Sequence, residues 1–142
     1  MIAIDTNVLL RYLLADDAGQ YRRAKKLISS NRPVLITDVV LSETVWTLVG
    51  KRYGFDKAQI SSVIRALVGD LGFAFEDSQV VWSALKDYEA SKRIRGKSLD
   101  YADALIARKS AYIAHARETK FGGLFSFDKA VAQLTWAQPI EA

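Results

Sequence analysis

Four carboxylates lie in segments of the chain that otherwise read as hydrophobic core, and none has an obvious charge partner nearby in sequence. They are Asp5 in MIAIDTNVLL, Glu43 in TDVVLSETVWTL, Asp103 in SLDYADALIARKS and Asp128 in LFSFDKAVAQL. Carboxylates gathered on an apolar framework repel one another and lose hydration unless a cation occupies the space between them. A divalent-metal site is therefore the leading hypothesis.

Two of these acids are hard to explain as ordinary helix residues. The positions three and four residues away from Glu43 hold Val39, Val40, Trp46 and Thr47. No Lys or Arg can therefore pair with Glu43 along the helix, and its face is expected to turn towards the core. The only charged residue at the same spacing from Asp103 is another acid, Asp100. Both positions favour a nearby cation.

The other two acids also fit a structural role. Asp5 and Asp128 each stand where a helix is expected to begin, and an acid there interacts favourably with the helix dipole. However, each also follows an apolar strand, and the carboxyl ends of parallel strands form the functional edge of an open sheet. The pattern therefore predicts that Asp5 and Asp128 face the same edge.

Short apolar strands alternate with helices along the chain, which predicts an α/β sandwich with a mainly parallel sheet. The predicted strands cover residues 2–5, 34–36, 73–76, 124–126 and 135–140. The predicted helices run from Thr6 or Asn7 to Leu14, from Asp16 or Asp17 to Ser30, from Thr37 to near Gly54, from Asp56 to Gly69, from Asp77 or Ser78 to Arg93, from Ser98 through Asp100 and Asp103, and briefly around Asp128.

Composition indicates a small globular protein of one domain, residues 1–142. The absence of cysteine excludes disulfides, thiolate zinc sites and cysteine nucleophiles, and suits a reducing cytoplasm. The apolar N-terminus lacks a basic region and is interrupted by Asp5, Asn7 and Arg11, so it does not match a signal peptide. No stretch has the length of a membrane span.

The net charge of +4 is weak evidence for a polyanionic partner. Two clusters concentrate the basic residues, and both also fit solvated helix faces or loops. Their members are Lys92, Arg93, Arg95 and Lys97 in the first, and Arg22, Arg23, Lys25 and Lys26 in the second. The single histidine, His115, has no second His or Cys near it and is expected to be a structural or surface residue.

Four blocks of this sequence carry a family resemblance: IDTNVLLRYLL, the helix with LSE, LDYADALIA and FSFDKAVAQL. In that order they resemble the signature blocks of PIN-domain ribonucleases, and most of all the VapC-type toxins of bacterial and archaeal toxin–antitoxin pairs. The resemblance spans almost the whole chain. It implies a PIN-like three-layer sandwich, with a short, mainly parallel sheet flanked by helices.

The resemblance also implies roles for individual residues. The metal-binding acids of the family fall on Asp5, Glu43, Asp103 and Asp128. Asp100 belongs to a DxxDALIA variant of the third block, and we expect it to bind metal directly or through water while Asp103 is the direct ligand. The supporting polar residues fall on Thr6, Asn7 and Ser126, the last where the family commonly has Thr.

The implied activity is Mg²⁺- or Mn²⁺-dependent cleavage of RNA that leaves a 5′ phosphate and a 3′ hydroxyl, with one metal ion or two. Flanking cations would then hold the RNA, and the candidates are Arg11, Lys92, Arg93, Arg95 and Lys97. Trp46, Tyr53 and Trp82 either stack on bases or belong to the core or an interface.

The implied partners are a second copy of the chain and a cognate antitoxin, with residues 37–53 and 56–69 as candidate contact helices. Three alternatives remain open: a housekeeping PIN nuclease, a non-catalytic RNA-binding PIN module, and a haloacid-dehalogenase-like phosphatase. The phosphatase needs a second Asp two residues after its nucleophile, where this chain has Asn7. The non-catalytic module is disfavoured because all four acids are present.

Overall fold

The computed structural model describes residues 1–140, and this part of the chain contains six α-helices and five short strands. The helices are α1 (Thr6–Leu14), α2 (Ala18–Ser30), α3 (Asp38–Val49), α4 (Lys57–Gly69), α5 (Ser78–Ala90) and α6 (Tyr101–Ala116). The strands are β1 (Ile2–Ala3), β2 (Val34–Ile36), β3 (Phe73–Phe75), β4 (Leu124–Ser126) and β5 (Ala137–Pro139). The predicted α/β class is confirmed.

Several helices begin where the sequence predicts, because their capping side chains satisfy backbone N–H groups that lack a partner in the first turn. Asp17, Thr37 and Asp56 are the N-caps of α2, α3 and α4. Each accepts a hydrogen bond from the N–H three residues later, at 2.9, 3.3 and 2.8 Å respectively. Local capping chemistry therefore determines where these helices start.

Two predicted helix starts are wrong in detail. The N-cap of α1 is Asp5, not Thr6 or Asn7, and β1 accordingly ends at Ala3. The N-cap of α6 is Asp100, not Ser98, so Asp100 precedes the helix that carries Asp103. At α1 the carboxylate of Asp5 caps the first turn. At α6 the carboxylate of Asp103 instead accepts a hydrogen bond from the N–H of Asp100.

The helices α3 and α5 also end earlier than the sequence predicts. α3 ends at Val49 and not near Gly54, because Gly50 turns the chain and residues 51–53 form a turn. α5 ends at Ala90 rather than Arg93. Asp128 lies in a turn, three residues before a short 3₁₀-helix (Val131–Gln133), instead of in the first turn of a helix.

The chain divides into two compact units, the first Met1–Ser78 and the second beginning at Gln79. In the first unit, β1, β2 and β3 form a parallel sheet in that order, in which Ile2 pairs with Val34 and Val34 with Phe73. α1 contacts α2 and α3. The buried core residues of this unit include Leu9, Ile28, Val34, Ile36, Leu41, Leu48, Ile60, Ile64 and Leu67.

In the second unit, β4 and β5 pair in parallel, with Leu124 opposite Ala137. Gly123 is required at the start of this pair, because its φ is 115° and a Cβ there would lie 2.8 Å from the carbonyl oxygen of Trp136. The buried hydroxyl of Tyr101 donates a hydrogen bond to the carbonyl oxygen of Val81 at 2.9 Å, which ties the start of α6 to α5.

The strands form two separately hydrogen-bonded sheets instead of the single sheet that the sequence predicts. The apolar pattern of a two- or three-residue strand marks it as buried but does not specify its neighbour, so this pairing was not readable from the sequence. Among residues 1–140, no helix combines the length and hydrophobicity that a membrane crossing requires.

Candidate functional site

Asp5 lies at the carboxyl end of β1, where it is exposed and caps α1. Its Oδ1 accepts a hydrogen bond from the N–H of Val8 at 3.0 Å. No other described residue donates a hydrogen bond to this carboxylate, so its second oxygen remains available to a ligand. Thr6 and Asn7 form the first turn of α1 directly beside it. Asp5 therefore acts as a helix cap, as the sequence allowed, and its second oxygen can also bind a ligand.

Glu43 is exposed on α3, and the prediction that it faces the core is wrong. The buried residues of α3 are Leu41, Thr44, Val45 and Leu48. Glu43 instead shares the exposed side with Val39 and Trp46, whose side chains are 65% and 77% exposed. The error arose because α3 is apolar on nearly all sides, so its periodicity does not identify the buried face. Glu43 makes no ion pair with any described residue.

Asp100 and Asp103 lie at the start of α6. Asp100 is exposed at the N-cap, whereas Asp103 is half-buried in the first turn. Oδ2 of Asp103 accepts a hydrogen bond of 3.4 Å from the N–H of Asp100. The two carboxylates are therefore held next to each other by the helix start that they form.

The electrostatics of Asp103 connect it to a third acid. Burial raises the pKa of Asp103 most, and the negative charges of Asp100 and Asp128 raise it further. The hydrogen bond from the N–H of Asp100 acts in the opposite direction, but the pKa still lies above its ordinary value. Three of the predicted acids therefore share one electrostatic environment in the second unit, and it favours positive charge.

Asp128 is positioned by a short turn after β4. The hydroxyl of Ser126 accepts a hydrogen bond from the N–H of Asp128 at 3.0 Å. Oδ1 of Asp128 in turn accepts a hydrogen bond from the N–H of Ala130 at 2.8 Å. The hydroxyl at position 126 thus orients the backbone of the acid two residues later, a role that a Thr hydroxyl would also fulfil.

Within residues 1–140, no three Asp, Glu, His or Cys side chains form a group that could hold a metal ion as they stand. The donor chemistry nevertheless fits a hard cation. The predicted acids supply only carboxylate oxygens, the ligands that Mg²⁺ and Mn²⁺ prefer. A divalent cation beside Asp103 would also offset the repulsion that raises its pKa.

A tight hairpin turn before α6 carries two of the basic residues, Arg95 and Lys97. Ile94 and Lys97 exchange two backbone hydrogen bonds of 2.9 and 3.0 Å. Arg95 and Gly96, the two central residues, have φ values of 51° and 78°, as a type I′ turn requires. Arg93 closes the turn by donating to the carbonyl oxygen of Gly96 at 2.7 Å. The exposed cations of this cluster are therefore presented by an ordered turn.

A cleft of about 600 Å³ lies between α1 and α2 in the first unit. Its lining residues are Asn7, Val8, Arg11, Gln20, Arg23, Ala24 and Leu27. The sequence identified Arg11 but not Gln20, and it identified Arg23 only as part of a basic cluster. The available signal was the helical spacing of positions 20, 23, 24 and 27, which lie on one face of α2.

Two further predictions concern isolated side chains. His115 is exposed near the end of α6, as a surface residue would be. Trp46 is exposed and thus excluded from the core, whereas Tyr53 and Trp82 are half-buried.

Comparison with known proteins gives one positive result. A family model described as the PIN domain matches residues 2–136 and leaves out only Met1 and the last residues of the chain. A search of curated proteins and a search of solved structures each found no match. The matched region contains Asp5, Glu43, Asp103 and Asp128 together with the elements that position them. On this evidence the chain belongs to the PIN domain family.

Proposed function

We propose that this protein is a Mg²⁺- or Mn²⁺-dependent endoribonuclease and the toxin of a toxin–antitoxin pair. Membership of the PIN domain family supports a nuclease activity, since PIN domains are generally nucleases that use divalent metal ions. The observation that supports the metal dependence is the proximity of three carboxylates: besides burial, the negative charges of Asp100 and Asp128 act on Asp103 and raise its pKa. A site with this charge distribution favours a cation.

The proposed ligands are Asp5, Glu43, Asp103 and Asp128, with Asp100 as an additional or substitute ligand. When bound, a divalent cation supplies Lewis-acid stabilisation to the phosphodiester. Asp5 is suited to bind a ligand while it caps α1, because the cap uses only one of its oxygens. Asp128 is fixed through the hydroxyl of Ser126. These residues would orient an attacking water and the scissile phosphate, without any His or Cys nucleophile.

We further propose that basic residues hold the RNA next to the cleaved bond. The candidates are Arg11 on α1, Arg95 and Lys97 in the hairpin turn, and Lys92 and Arg93 just before it. An acidic pocket repels the RNA backbone except at the metal, so cations must supply the affinity elsewhere. The ordered turn supports this role, because a preformed turn loses little conformational entropy on binding.

The exposed apolar side of α3 supports a protein partner, either a second copy of the chain or an antitoxin. Val39, Trp46 and Val49 are 65%, 77% and 43% exposed, more than a helix without a partner normally leaves in water. Glu43 lies on the same side, so a protein bound there would also control access to one of the proposed metal ligands. We place the protein in the cytoplasm and treat its two compact units as parts of one nuclease domain.

Two alternatives within the family are a housekeeping nuclease and a non-catalytic RNA-binding module. The first differs from the toxin in its genetic context and not in its site. The second predicts RNA binding without cleavage. Membership of the PIN domain family and Asn at position 7 both support a nuclease over the phosphatase alternative.

The proposed function is tested with purified protein free of any partner. We expect cleavage of single-stranded RNA in Mg²⁺ or Mn²⁺, with 5′ phosphate and 3′ hydroxyl ends, and we expect a chelator to stop it. RNA binding without cleavage in either metal would favour the non-catalytic module instead. The toxin role is tested by induced expression in growing cells, where rapid growth arrest supports it and unimpaired growth with an active enzyme points to a housekeeping nuclease.

A further inference from the structure

The cleft between α1 and α2 combines apolar, amide and basic side chains. Val8, Ala24 and Leu27 supply an apolar surface, while Asn7, Arg11, Gln20 and Arg23 supply polar groups around it. Its volume of about 600 Å³ lies in the range of small-molecule pockets. Apolar side chains are suited to contact a base, and guanidinium groups are suited to bind a phosphate.

Of the two arginines that line this cleft, one is paired with a carboxylate of residues 1–140 and the other is not. Arg11 donates to Oδ1 of Asp16 at 2.7 Å, and this hydrogen bond raises the pKa of Arg11 above its ordinary value. Arg23 makes no ion pair with any described residue. An exposed arginine without a carboxylate partner is free to bind an external anion, and its planar group binds phosphate in a bidentate manner.

The surrounding charge favours a polyanion over a protein partner. α2 contains four basic residues and no acid, with the sequence AGQYRRAKKLISS. Alternating charges or a continuous apolar surface would be expected at a typical protein interface, where charged residues are depleted at the centre. A row of unopposed cations is instead the usual contact surface for a nucleic-acid backbone.

The position of the cleft links it to the candidate active site. Asn7 lines the cleft and follows Asp5 by two residues, and Arg11 lies about one helical turn, or roughly 6 Å, further along α1. We propose that the cleft binds a nucleotide of the RNA strand beside the cleaved bond, with Arg23 as its main phosphate-binding residue. This inference rests on the proposed function, because it assigns a place on the protein to the same substrate.

The test measures binding of a fluorescently labelled single-stranded RNA to the full chain in EDTA, so that cleavage does not interfere. Arg23→Glu is compared with Arg22→Glu, a matched control on the same helix that does not line the cleft. We expect Arg23→Glu to weaken binding about tenfold and to lower the slope of log affinity against log salt by about one. Arg22→Glu should weaken binding less than about threefold.

Equal RNA binding by the two variants would overturn the inference. This holds even if Arg23→Glu weakens the binding of a protein partner. Arg23→Gln serves as a second variant if charge reversal impairs folding, which circular dichroism reports. With Mg²⁺ or Mn²⁺ added, Arg23→Glu should raise KM and leave kcat unchanged, so a loss confined to kcat also counts against it.

The two proposals fail in different ways. RNA cleavage that is insensitive to Arg23→Glu removes the nucleotide site and leaves the nuclease intact. RNA binding that depends on Arg23, without cleavage in any divalent metal, supports the cleft and removes the nuclease.

Discussion

At the scale of single residues, the question is whether Asp5 acts only as a helix cap. The first unit provides a matched control, because Asp17 caps α2 through the same type of hydrogen bond, from the N–H three residues later. Asn caps a helix about as well as Asp, so neither Asp5→Asn nor Asp17→Asn should change stability by more than about 0.5 kcal/mol.

We predict that Asp5→Asn lowers the rate of RNA cleavage by about 100-fold or more, whereas Asp17→Asn leaves it within about twofold of the unchanged protein. The measurement is the initial rate in Mg²⁺ or Mn²⁺ at matched protein stability. Equal rates for the two variants would show that Asp5 is only a structural residue.

The raised pKa of Asp103 gives a prediction about stability in the absence of metal. The folded state binds the proton on Asp103 more tightly than the unfolded state does, so ionisation of this group destabilises the fold. The contribution of Asp103 to the stability of the fold therefore falls as the pH rises from 3.8, the ordinary pKa of Asp, through the raised pKa of the folded state.

Asp103→Asn should therefore raise the midpoint of thermal unfolding at pH 7 in EDTA, and the difference should shrink as the pH falls below about 4. Divalent metal should stabilise the original protein and not the variant. A variant that is less stable than the original at pH 7 in EDTA would contradict the repulsion argument.

The residue types and their approximate environments were predictable from the sequence, but their orientation was not. Asp103 was identified because its only charged neighbour is an acid, and the structure agrees. The sequence predicts that Glu43 faces the core, but Glu43 is exposed. The prediction fails because the pattern of a helix that is apolar on most sides does not identify its buried face.

At the scale of elements, α6 matters most because it carries Asp103. Its position relative to α5 is fixed by a bidentate ion pair, in which Arg108 donates to the two carboxylate oxygens of Asp87 at 2.6 and 2.8 Å. The same guanidinium lies 5.2 Å from the ring centre of Trp136, next to β5. One side chain thus connects three elements of the second unit.

We predict that Arg108→Lys lowers the free energy of unfolding by about 1–2 kcal/mol, because lysine loses both the bidentate geometry and the planar contact with the ring. Lys86→Gln is the control, since Lys86 and Glu89 pair at 3.6 Å on the surface of α5. Its cost should stay below about 0.5 kcal/mol. Chemical denaturation measures both, and equal costs would mean that the geometry of the Arg108 pair contributes little.

Periodicity predicts which segments are helices and which are strands. Capping residues such as Thr37 and Asp56 predict where several helices start. The ends were less predictable. The sequence predicts that α3 ends near Gly54, whereas the hydrogen bonds of the folded chain end it at Gly50.

At the scale of the whole molecule, the sequence predicts the α/β class correctly but not the division of the strands of residues 1–140 into two sheets. Strand pairing depends on contacts between residues far apart in the chain, for which local patterns carry no information. The family resemblance, in contrast, depended on four blocks distributed along the chain, and the PIN domain match over residues 2–136 confirms it at the level of the family.

The central claim is that carboxylates of this PIN domain bind a divalent metal ion with which the protein cleaves RNA. The most direct test is the rate of cleavage of single-stranded RNA as a function of Mn²⁺ or Mg²⁺ concentration, for the unchanged protein and for Asp103→Asn. We predict a rate that saturates with metal and vanishes with chelator, and a loss of about 100-fold or more in the variant. Undiminished cleavage in chelator, or full activity of Asp103→Asn, would contradict the claim.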